Sequence, residues 1–122
     1  MNVGKLLETV NSLVPLNYAF EDDFVGITVG SEDSEVNGVA VAHELENSIL
    51  DYSTNNNINT LITYHPPPLQ KILKDDGTET FEDDPLTAKC RESGLNIITI
   101  HTAQDVCNGG NADSLVDLFG IT

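Results

Sequence analysis

The sequence is poor in cations. Its 122 residues carry 5 Lys+Arg against 20 Asp+Glu, for a formal charge of -15 and a pI of about 4.1. A chain this negative repels phosphate backbones, which argues against sequence-independent nucleic-acid binding. Anionic membrane surfaces are disfavoured for the same reason. Long apolar runs are also missing. None exceeds five residues, against the roughly 20 that a membrane-spanning helix requires. Met1-Asn2-Val3-Gly4-Lys5 opens without the apolar stretch of a signal peptide. Cysteine is scarce, and Cys90 with Cys107 makes no disulfide framework. These absences lead to the expectation of a soluble cytoplasmic protein.

What is present suits one domain spanning residues 1–122. Apolar residues make up 39% of the chain and come in ordered runs, so disorder is not implied. The acidity is spread along the sequence rather than gathered in a tail. Such a surface fits a halophilic cytoplasm, where dense carboxylates keep a protein hydrated, and equally an ordinary acidic protein.

Val3, Leu6, Leu7, Val10, Leu13 and Val14 recur at helical spacing, which predicts an amphipathic helix over 3–14. Asn2 is its expected N-cap and Pro15 its stop. Val25–Gly30 and Val39–His43 read as strands, and residues 46–55 as a helix with Ile49, Leu50 and Ser53 on one face. Leu61–Tyr64 is a third strand, cut short by His65-Pro66-Pro67-Pro68, which forces an extended loop. Asp76-Gly77 marks a turn. Asp84-Pro85 starts a helix that Gly94 stops. Asn96–Ile100 is a fourth strand. A last helix over 111–119 is expected to bury Leu115, Val116 and Phe119. Strands alternating with helices imply an α/β domain, a mostly parallel sheet of about four strands with helices on both faces.

The chemistry follows from position. His65 directly follows the third strand and His101 the fourth, with Asp105 four residues later. Parallel strands bring these residues to one sheet edge, the edge at which open α/β sheets bind ligands. Glu44 and Glu46, after the second strand, reach the same crevice if that strand is also parallel. Imidazole with carboxylate is a ligand set for divalent Zn, Fe, Mn, Co or Ni. A histidine beside a proline-rich loop also serves as a hydrogen-bonded structural residue, and that reading stays open. His43, inside a strand, is expected to be a partly buried neutral side chain. Cys90 reads as core, and Cys107 as an incidental thiol or a spare soft ligand. Gly109-Gly110 precedes the last helix, and its amides offer an anion site or else a tight turn.

Tyr64-His65-Pro66-Pro67, followed by His101-Thr102-Ala103-Gln104-Asp105 and then Gly109-Gly110, resembles the interacting-factor-3-like family. Its members are the dinuclear metal-centre proteins known as GTP cyclohydrolase 1 type 2 homologues. The likeness covers essentially the whole chain and corresponds to the N-terminal half of the family's two-part protein. It implies that His65 and Asp105 share a divalent metal, while Tyr64 and His101 line the site. Departures fall at that same edge. The first of the family's paired histidines is Tyr64 here. The family's W-D-N reads Asp22-Asp23-Phe24, and its D-x-T reads Glu44-Leu45-Glu46. After the glycines, the family's G-G-V-N-D reads Gly109-Gly110-Asn111-Ala112-Asp113. The family's H-x-x-x-E ligands find no counterpart.

The resemblance therefore implies a metal-binding protein, with metal-dependent hydrolysis of a nucleotide-like small molecule as its activity. The alternatives are a non-catalytic metal-binding or scaffold protein, or a truncated or split family member. It also implies a homo-oligomer, in the family a hexameric ring. The catalytic residues themselves are not legible at this level.

Overall fold

The computed structural model describes residues 1–121. Its elements, in chain order, are α1 (Val3–Leu13), a short 3-10 turn (Leu16–Tyr18), β1 (Gly26–Val29), β2 (Val39–Ala42), α2 (Asn47–Asn55) and β3 (Thr60–Thr63). Then come β4 (Leu69–Leu73), β5 (Glu79–Asp83), α3 (Pro85–Glu92), β6 (Asn96–Thr99), α4 (His101–Val106) and α5 (Asn111–Leu118).

The main sheet has four strands in the order β1-β6-β3-β2. β2 pairs with β3, and β3 with β6, in parallel; β1 runs antiparallel to β6. The mostly parallel α/β sheet expected from the sequence is therefore present, with one antiparallel edge strand. Consecutive residues of β6 face opposite ways. Ile97 packs with Leu61, Leu50 and Cys90, placing α2 and α3 on one face. Ile98 packs with Val3, Val10 and Ile62, placing α1 on the other. β1 reaches both cores because its register shifts between Ile27 and Val29, so Ile27 joins the α1 side and Val29 the opposite side.

Local chemistry explains the helix starts. The Asn2 side chain accepts the Lys5 N–H, and the Asp84 side chain accepts the Thr87 N–H, with Pro85 at the first helical position. Each satisfies an amide that a helix start leaves without an internal partner.

Four points need correction or addition. Residues 69–83 form a β4–β5 hairpin around the Asp76-Gly77 turn rather than only a loop. His101–Val106, to which the sequence reading assigns no element, is a helix. The last helix does not bury its apolar residues: Leu115, Val116 and Phe119 are all exposed, with α5 packed mainly against α4. His43 lies just past β2 and is exposed rather than partly buried.

α1 covers only part of its face of the sheet. Val41, on the edge strand β2, is 78% exposed there. This bare strip borders the site.

Candidate functional site

Parallel pairing puts the ends of β2, β3 and β6 on one edge. The backbone ladder continues beyond the strands. The His65 N–H donates to the His43 carbonyl at 2.9 Å, and the His101 N–H to the Tyr64 carbonyl at 2.9 Å. These bonds hold three chemically active segments side by side. All 3 histidines of the chain gather there around Tyr64. The His43 and Tyr64 rings lie nearly parallel, 17° apart with centroids at 5.3 Å. His43 meets His65 edge-on at 4.5 Å, and His101 lies 5.2 Å from Tyr64 and 5.6 Å from His65.

One group of three metal-capable side chains stands out among the described residues. Ligand atoms of His43, Glu44 and His65 all lie within 4.8 Å of one another. His65 Nδ1 and Glu44 Oε2 are 3.6 Å apart. A tetrahedral ion with bonds of about 2.0–2.1 Å sets its ligand atoms roughly 3.3 Å apart, so the group needs only modest closure to fit one. Two imidazoles and a carboxylate form a donor set that zinc or non-haem iron accepts while keeping open positions.

Asp105 has different neighbours. Tyr64 donates its hydroxyl to Asp105, 2.8 and 3.0 Å from the two carboxylate oxygens, and Asn111 Nδ2 donates at 2.8 Å. That carboxylate, with some burial, holds the Tyr64 phenol above its ordinary pKa. Tyr64 is therefore kept protonated, with its hydroxyl proton directed at Asp105.

His101 is held from behind. Its Nδ1 lies 2.8 Å from Asp23 Oδ1, and Asp23 Oδ2 accepts from both the Thr102 amide and hydroxyl. Burial pushes the Asp23 carboxyl up, but the hydrogen bonds from His101 and Thr102 prevail, so its pKa lies below the ordinary value. His101 adopts a φ of 25°, a positive value that non-glycine residues seldom take. Asp23 was visible in the sequence only as part of a departure from the family motif. No local pattern signals a partner 78 positions away.

The two glycines make a turn. The Gly109 N–H donates to Asp113 Oδ2 at 2.8 Å and the Gly110 N–H to the Cys107 carbonyl at 2.9 Å. Both amides are thus engaged within the chain, as in a tight turn. Cys107 is buried, with its thiol 3.7 Å from the Gln104 carbonyl. Cys90 is buried in the core, as expected, and burial pushes its thiol up to about 11.

Beside this cluster lies an open groove of about 500 Å³. Val41, Ile62 and Ile100 give it an aliphatic floor, while His43, Tyr64 and the amides of Gln104 and Asn111 stand around it. No lysine or arginine lines it. Among the described residues, no helix is long and apolar enough to cross a membrane.

Fold and site together define an α/β protein with a cluster of histidines and carboxylates beside a largely apolar groove at the C-terminal edge of its parallel strands. The chain belongs to the family described as Duf34/NIF3 (NGG1p interacting factor 3), whose model matches residues 1–122. Curated relatives called GTP cyclohydrolase 1 type 2 homolog include one from Bacillus subtilis, 27% identical over 100% of this chain and 32% of its own length. Another, from Staphylococcus epidermidis, is 26% identical over 99% of this chain and 32% of its own. A Bacillus cereus protein related to NIF3 has a crystal structure similar to this one, with a TM-score of 0.79 and 25% identity, covering 100% of this chain and 33% of that one. The chain thus spans about a third of the length of the curated relatives it matches.

Proposed function

We propose that this protein binds a divalent metal ion at the sheet edge around His65 and presents a small, nucleotide-like molecule to it for hydrolysis. The observation that carries the reading is the convergence of His43, Glu44 and His65 within 4.8 Å. A cation held there supplies a Lewis acid and a water of lowered pKa. The chain's own residues do the rest. His43, Glu44 and His65 would hold the ion, Tyr64 lines the site with its hydroxyl donated to Asp105, and Asp23 fixes the orientation of His101. His65 is common to two ligand sets, the group just named and the pair with Asp105 that the family resemblance implies. The hydrolytic reading draws its support from the name shared by the relatives. Self-association draws its support from the exposed apolar residues of α5.

A non-catalytic metal-binding or scaffold role is favoured by one observation. Asp105, a ligand in the implied pair, is already engaged by Tyr64 and Asn111.

Metal content decides first. Protein purified without added metal, then dialysed against Zn, Mn or Fe, is expected to retain about one ion per chain by elemental analysis. His65→Ala should abolish retention. Loss with His43→Ala or Glu44→Gln selects the group of three, whereas loss only with Asp105→Asn selects the implied pair. Retention far below one ion per chain, indifferent to His65→Ala, removes the proposal. GTP turnover with each metal then separates the enzyme from the scaffold. Turnover abolished by His65→Ala supports the enzyme, and turnover unchanged by it marks a contaminant.

A further inference from the structure

The groove beside the histidines has a chemistry of its own. Its floor is aliphatic, Val41, Ile62 and Ile100. Its aromatic surface is the near-parallel pair His43 and Tyr64. Its polar groups are neutral amides. Asn111 donates one Nδ2 proton to Asp105, which leaves its second Nδ2 proton as a donor and Oδ1 as an acceptor. Gln104 Oε1 lies 3.8 Å from the Cys107 thiol, which leaves Nε2 as a donor. Aliphatic and aromatic surface edged by neutral amide donors and acceptors suits a flat heterocycle carrying complementary edge groups.

The charges point the same way. Of the 5 cations in the chain, Lys5 is paired with Glu8, Lys71 with Glu79 and Arg91 with Asp83, and neither Lys74 nor Lys89 lines the groove. Carboxylates stand close by instead: Asp105 against Tyr64, and Glu44 against His65. With a formal charge of -15 behind it, the groove's own side chains offer no cation to a polyphosphate in the metal-free protein, and much repels one.

We infer that the groove is a subsite for an unphosphorylated planar heterocycle, a nucleobase or nucleoside, and that it selects against the corresponding triphosphate. This rests on the proposed function in placing the reacting molecule beside the metal ligands. It also departs from the nucleotide named by the relatives: the ring is recognised and the phosphates are not.

Calorimetric titration of the metal-free protein in EDTA separates the two ideas, because the subsite needs no metal. Guanosine and GTP are the probes, at low and at high NaCl. The expected result is measurable guanosine binding, with GTP weaker by about tenfold or more at low salt and the gap closing as salt screens the carboxylates. Val41→Glu puts a carboxylate on the exposed edge strand and should cut guanosine binding several-fold. Val41→Lys should narrow the difference between GTP and guanosine. Circular dichroism checks that both variants fold; because Val41 is 78% exposed, they are expected to. GTP binding as tightly as guanosine in EDTA, no guanosine binding, or binding indifferent to both Val41 variants overturns the inference. Guanosine binding by a protein that retains no metal would defeat the metal proposal alone.

Discussion

Asp23 shows how a single side chain couples distant parts of this chain. It lies before β1, yet it holds His101 and Thr102 at the start of α4. Its pKa in the folded protein lies below the ordinary value, with burial opposing and the hydrogen bonds prevailing. The sign follows directly. A depressed carboxyl stabilises the fold above its unfolded pKa of about 3.9, and that stabilisation is lost as pH falls through the lower folded value. Asp23→Asn should therefore cost about 1–3 kcal/mol at pH 7 in urea unfolding, and the deficit should shrink on acidification below about pH 4. A deficit that stays constant with pH would show that the charge on Asp23 contributes nothing. His65 and His101 were legible as candidates because each directly follows an apolar β-branched strand; His43, expected to be a partly buried neutral side chain, was not. Their carboxylate partners were only partly legible. Glu44 follows its strand directly, but Asp23 and the Tyr64–Asp105 bond depend on where remote loops land.

Elements with strong start signals were read correctly. Asn2 caps α1, and Asp84-Pro85 opens α3. α4 has no side-chain cap at Ile100, so nothing in the sequence announces it. β4 and β5 are largely exposed, and their pairing with each other replaces the burial that marks a strand in sequence. The corner between α4 and α5 gives a test at this scale. A Cβ on Gly110 would sit 2.1 Å from the Gln104 carbonyl oxygen and 2.9 Å from that of Cys107, both backbone atoms. A Cβ on Gly109 meets nothing within 4 Å, but its φ is +71°. Gly110→Ala should therefore destabilise by about 1–3 kcal/mol through overpacking, and Gly109→Ala by about 1 kcal/mol through backbone strain alone. Thermal unfolding of the two variants checks the order. Equal losses would mean that α5 simply shifts away.

At the scale of the whole molecule, charge dominates. A formal -15 over 122 residues is self-repulsion that the few ion pairs do little to offset, since surface pairs contribute about 0–1 kcal/mol each. Raising NaCl from about 0.05 to 1 M should raise Tm by roughly 5 °C as the repulsion is screened. A Tm that stays flat or falls would show that the carboxylates are spaced widely enough not to interact. The same charge shapes function, since it attracts a divalent cation to His43, Glu44 and His65 while opposing a polyphosphate in the groove beside them.

Composition and periodicity by themselves determined the α/β class, the succession of the main strands along the chain and the gathering of His65 and His101 at one edge. Those properties depend on local propensity and on the rule that parallel strands end together. Only the tertiary structure decided that β1 runs antiparallel, that His43 is exposed and joins Glu44 and His65, and that Asp105 is engaged by Tyr64 and Asn111. Each of these depends on which remote segments meet, and a one-residue change of register turns a side chain from one face to the other.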